Sequence, residues 1–121
     1  MKYAVTLILI SMVLVACSRH SELHEAMEEM GDSYKAMKNA ETLEQMQTEL
    51  DKFSANVDIA RQQKVKPEDQ QTFDEGMQKL EEGVVALRQS IDSGSLADAT
   101  TAIENLKDLK KELHDKLEVD D

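Results

Sequence analysis

The sequence predicts an all-α protein, an antiparallel up-down-up-down four-helix bundle. Apolar residues recur at spacings of three and four along four separate stretches, the period of a helix that buries one face. The stretches after the first are punctuated by capping and breaking residues: Thr42 with Gln45, the single proline Pro67, and Gly94 followed by Ser95. Aromatic residues make up only 3 % of the chain, with no Trp and 7 Met, so the core must be aliphatic and Met-rich; no stretch alternates with strand period. Four helices with short connections bury their stripes most simply as an antiparallel bundle.

Ahead of the first helix the chain reads as an export signal. Met1 and Lys2 form a short basic start, and Ala4 to Ala16 is an apolar run too short to span a membrane with its own flanks. The run closes with Leu14-Val15-Ala16-Cys17, which resembles the lipobox of bacterial lipoproteins, where the cysteine becomes the lipid-carrying first residue. An ordinary cut after Ala16, leaving Cys17 as a free thiol, is the alternative. Residues 1–16 are thus expected to be a signal peptide of lipoprotein type, 17–21 a polar tether, and 22–121 the bundle domain. Ser18 after the cysteine resembles an outer-membrane sorting pattern, so the expected location is the periplasm, with an outer-membrane anchor if Cys17 is acylated. Cys17 is the only cysteine, so no internal disulfide can stabilise the fold.

Leu23, Met27, Met30, Tyr34 and Met37 form the seam of a first helix expected over 22–39. Thr42 and Gln45 open a second, with the seam Leu43, Met46, Leu50, Phe53, Val57 and Ala60, ending near Gln62. Pro67, followed by Glu68 and Asp69, is expected to start a third, because proline suits a first turn and acids complement the helix dipole. Its seam is Phe73, Met77, Leu80, Val84, Leu87 and Ile91, with Gly76 and Gly83 alongside. Those glycines read either as close helix contacts or as room for something flat. Gly94 closes the third helix, and Ser95 caps a fourth, expected from Leu96 to Val119. On that helix Leu96, Ile103 and His114 share one side, flanked by Leu106, Leu113 and Leu117, which puts His114 on the inward stripe.

With 25 acidic against 14 basic residues and a net charge of -11, the chain is a poor ligand for nucleic acid or anionic lipid, and a partner with a basic docking surface suits it better. A monomer is expected. Enzyme chemistry finds no footing. A di-iron bundle needs Glu-x-x-His pairs, yet Lys111 precedes His114 by three residues and Ser21 precedes His24. No Ser-His-Asp pattern or Gly-rich phosphate loop is present.

The expected topology brings the start of the first helix and the end of the last to one end of the bundle, and so Met27 and His114 together. A thioether and an imidazole in an apolar setting match the two axial ligands of a low-spin haem iron, an electron-transfer centre with no open position. Without Cys-x-x-Cys-His, such a haem would be held non-covalently. The residues alone also admit two other readings. His24, Met27 and Met30, at three-residue steps, have the soft donors of a Cu(I) site in a copper-binding lipoprotein. In a haem-free structural or adaptor lipoprotein, Met27 is packing and His114 an edge residue.

Residues 22 to 118 resemble the cytochrome b562 family, small periplasmic haem-binding four-helix bundles. Leu-His-Glu-Ala-Met, Leu23 to Met27, places Met27 at the family's methionine ligand. From Phe73 to His114 the chain lies on the family pattern without a gap, carrying Phe73, Gly76, Gly94 and Leu106-Lys107 into register and ending with His114 at the histidine ligand. The resemblance implies one haem b per chain, bound non-covalently, with Met27 and His114 on the iron, Phe73 and Met77 on the pocket wall, and Lys110 near a propionate. Three positions depart from the pattern: Met77 replaces a phenylalanine, Leu113 the tyrosine before the histidine, and Lys110 an arginine. The connection between helices two and three is shorter and poorer in proline, and the lipobox is unlike the soluble family members.

Overall fold

The computed structural model describes residues 22–117; the expected signal segment, Cys17, the tether and Val119 lie outside them. Four helices account for nearly all of the described chain: α1 over residues 22–39, α2 Leu43–Arg61, α3 Gln70–Asp92 and α4 Leu96–Leu117. No strand occurs among the described residues.

Local signals set most boundaries. Thr42 takes the N-cap of α2, its hydroxyl accepting from the Gln45 backbone N–H at 3.1 Å, while the Gln45 side chain accepts from the Glu41 N–H at 3.0 Å. Gly94, at φ +79°, ends α3 in the left-handed conformation that glycine adopts without strain. Its N–H reaches the Ile91 carbonyl at 3.0 Å, and the Ser95 N–H reaches Ser90 at 3.3 Å, the paired bonds of a Schellman turn. Ser95 then caps α4, its hydroxyl accepting from Asp98 N–H at 3.1 Å. The helix expected to open at Pro67 starts instead at Gln70. Asp69 N–H bonds the Lys66 carbonyl at 2.9 Å, so Pro67, Glu68 and Asp69 form a tight turn ahead of the helix, and the two acids precede its first turn.

Neighbouring helices run antiparallel, as the cross-helix pairs show. Between α2 and α3, Arg61 pairs with Glu81 and Asp51 with Arg88 at 2.8 Å, so numbers fall on one helix as they rise on the other. Between α3 and α4, Lys79 lies 3.6 Å from Glu112, Gly76 faces Leu113 and Gly83 faces Leu106. α1 closes the ring against α4: Tyr34 sits beside Glu104 and Asp108, which with burial push its phenol above the ordinary value. The fold is the expected all-α, up-down-up-down four-helix bundle.

The core follows the stripes. In α3 the buried residues are Phe73, Met77, Leu80, Val84, Leu87 and Ile91, and in α2 Met46, Leu50, Phe53, Val57 and Ala60. Two helices differ from expectation. The deepest residues of α1 are Ala26, Ser33 and Met37, with Leu23, Met27, Met30 and Tyr34 half-buried around them. In α4 the stripe is Ala99, Ile103, Leu106 and Leu113, while Leu96 is 45 % exposed because it occupies the helix's first position, where the turn from α3 leaves it little to pack against. No buried side-chain nitrogen or oxygen among the described residues lacks a hydrogen-bond partner, so the buried Ser33 carries no desolvation debt.

Candidate functional site

One end of the bundle gathers the start of α1, the end of α2, the start of α3 and the end of α4. Its side chains are less tightly enclosed than the rest of the core. Leu23, Met27, Met30, Val65, His114 and Leu117 are all half-buried there, around buried Ala26, Phe73, Met77 and Leu113. Val65 reaches the core from the connection 62–69, held by its N–H donating to the Gln70 side-chain oxygen at 3.1 Å.

Each sequence-predicted site residue has a defined place. Met27, on the first turns of α1, and His114, near the end of α4, are both half-buried and belong to this end. Phe73 and Met77 lie one turn apart on the inner face of α3, 5 % and 3 % exposed, and supply apolar wall. Lys110 is exposed one turn before His114, at the rim and away from the buried stripe. Cys17, the expected lipidation site, lies outside the described residues. The copper trio is split between faces: His24 is exposed, its Nε2 3.1 Å from Glu28 Oε1, while Met30 leans on the core.

The α3–α4 seam explains both glycines. A Cβ on Gly76 would overlap Leu113 Cδ1, and one on Gly83 would come to 2.6 Å from Leu106 Cδ2. Two leucines seven residues apart therefore seat in two notches seven residues apart, and the expected alternative of room for a flat group does not apply at this seam. The crevice beside Gly76 and Leu113 has a volume of about 20 Å³, water-sized. Charged side chains border it. Glu112 accepts from Lys116 at 2.8 Å and faces Lys79, and these two cations hold its carboxyl below the usual range, while Glu112 in turn raises Lys116. Sequence reading noted the glycines but missed their leucine partners and this ladder, since cross-helix neighbours depend on the azimuth of both helices.

The donor chemistry fits a haem better than a simple ion. No group of three or more His, Cys, Asp or Glu able to hold a metal occurs among the described residues, and the side chains gathered here are the thioethers of Met27, Met30 and Met77, one imidazole and hydrocarbon. A soft sulfur and a nitrogen suit the two axial positions of an iron whose other four ligands come from a porphyrin. Phe73, Met77, Leu113 and Leu117 give the apolar surface against which such a ring is stable. Among the described residues no helix is long and apolar enough to cross a membrane.

Comparison with known proteins agrees with this chemistry. No curated protein matches the chain. A family model described as Cytochrome b562 matches residues 22–118, the span of the bundle. With that span matched, over a bundle of the expected topology, the chain belongs to the cytochrome b562 family, haem-binding proteins of the electron-transfer type that hold haem b non-covalently.

Proposed function

We propose that this protein is a periplasmic electron carrier that binds one haem b between the Met27 thioether and the His114 imidazole. The observation that supports it is topological: a half-buried sulfur donor and a half-buried nitrogen donor, on the first and last helices, belong to the same end of an antiparallel bundle. When bound, a haem would supply a one-electron iron couple suited to electron transfer. The chain does the rest. Met27 and His114 would hold the iron, and a thioether donor there would favour its reduced state. Phe73 and Met77 exclude water from the buried face, where a low dielectric disfavours the added charge of the oxidised state. Lys110, exposed at the rim, is placed to meet a propionate as a point charge.

Members of this family are in general periplasmic, and the leader read from residues 1–16 supports the same destination here. Acylation at Cys17 would tether the bundle to a membrane through the first helix; a Cys17→Ala variant that partitions like the wild type would remove that part of the reading. The net charge of -11 supports a redox partner with a basic surface, with electron transfer between them slowing as salt rises. The chain is taken to act as a monomer.

The deciding experiment is a visible titration of the chain from Ser18 onward with hemin, followed by dithionite. A saturating one-to-one complex with sharp reduced bands is expected, and Met27→Ala and His114→Ala should each abolish the six-coordinate low-spin spectrum. Unchanged spectra in both variants would refute the axial assignment.

A further inference from the structure

We propose that Gly76 is a positioning residue for His114, acting through Leu113; this rests on the axial role of His114. The geometry is that of a knob in a notch. A Cβ at Gly76 would overlap Leu113 Cδ1 and stand 3.1 Å from both Cδ2 and Cγ. Turning the methyls moves Cδ1 out of the way, but Cγ, at 3.1 Å, must also give by a few tenths of an ångström. Leu113 is 9 % exposed, and the water-sized crevice beside it can take only part of a turned methyl. What side-chain rotation does not absorb is passed to the last turns of α4, and the next residue on that helix is His114. An alanine at position 76 would itself favour the helix by about 1 kcal/mol over glycine, so the notch is kept against local propensity.

Gly83 provides the internal control. It makes the same kind of notch for Leu106, with a Cβ at 2.6 Å from Leu106 Cδ2 and at 3.4 Å from Leu109 Cδ1, but about two turns of α4 away from the imidazole. A purely structural role predicts a change in stability from either substitution and no effect on His114 that separates the two. A positioning role predicts that only Gly76 reaches His114.

The test compares Gly76→Ala, Gly83→Ala and Gly76→Ala/Leu113→Ala by hemin titration and by the imidazole resonances of His114 in haem-free protein. Gly76→Ala should weaken hemin affinity by about tenfold or more, the scale seen when a residue supporting a metal ligand is removed. It should also shift the His114 resonances. Gly83→Ala should leave affinity within about twofold and the resonances in place, whatever it does to the denaturation midpoint. Removing knob and notch together in the double variant should relieve the clash, bring the His114 resonances of the haem-free protein back toward their wild-type positions, and cover the case in which Gly76→Ala folds poorly. Equal effects of the two glycine variants on His114 and on affinity, or no return of the His114 resonances in the double variant, would overturn the proposal. The two readings fail separately. If His114→Ala keeps the low-spin spectrum, the axial role falls, while a His114 resonance shift confined to Gly76→Ala still establishes the contact's reach.

Discussion

The two ends of the bundle are built from the same residue types to different tightness. Where α1 turns into α2 and α3 into α4, Met37, Leu87 and Ala99 are 0 % exposed and Met46 2 %, and both connections are short and capped by Thr42, Gly94 and Ser95. At the other end Leu23, Met27, Met30, Val65, His114 and Leu117 remain half-buried, and the longer connection 62–69 lies beside the first and last turns of the described chain. The tight end is filled by the chain's own side chains, with Leu96 alone well exposed among its large apolar residues named above. The looser end keeps apolar side chains and both candidate donors accessible to something else, as ligand-binding regions drawn from the less stable part of a fold must be.

Truncation contrasts the ends most sharply. In haem-free protein Leu87→Ala should lower unfolding stability by about 2–5 kcal/mol in urea denaturation, as for other fully buried leucines. The half-buried Leu23→Ala should cost only about 1 kcal/mol. Equal costs would erase the distinction between the ends. Saturation with haem should narrow it: at a hundredfold excess over Kd the gain is about 2.7 kcal/mol, with amide exchange slowed chiefly in the first turns of α1 and the last of α4. Slowing confined to the tight end would contradict the placement of the site.

Local substitutions at the tight end should cost less. Thr42→Ala removes one cap bond, for about 1 kcal/mol, and Gly94→Ala forces a side chain onto a left-handed backbone for about 1–2 kcal/mol; neither should change hemin affinity. The smallest effect is a pH dependence at the α1–α4 seam. Burial, then Glu104 and Asp108, raise the Tyr34 phenol above 10.0, so the folded chain holds that proton more tightly than the unfolded chain. The associated stability is complete below the unfolded value and lost as pH rises through the folded one. Denaturation midpoints measured upward from pH 9 should therefore fall slightly more steeply for the wild type than for Tyr34→Phe.

How much of this was legible in the sequence depends on side-chain size. The α3 stripe was readable in full because six large apolar residues mark it, and the Thr42, Gly94 and Ser95 signals act within a few residues of themselves. Ala26 and Ser33 escaped notice although they lie deepest in α1: small residues give no periodic signal, yet let the neighbouring backbone approach. Leu96 misled because wheel geometry takes no account of where a partner helix ends. Pro67 marked a turn correctly but not which side of it the helix begins. At the site, residue types and the shared bundle end were readable, while the seating of Leu113 on Gly76 required the relative rotation of two helices.

The seam between α1 and α4 is the one in the ring that no short loop bridges. Bringing Tyr34 near the charge of Glu104 closes a segment of 70 residues, whereas the turns at the tight end span three or so. In an unfolded chain the logarithmic growth of closure entropy makes that approach costlier by roughly 3 kcal/mol. This is the seam whose parting returns most freedom to the polymer, and it borders the end where both donors lie. Splicing residues 117 and 22 through a short linker and opening the chain at 40–42 would move that entropic burden to the opposite end without altering a single core side chain.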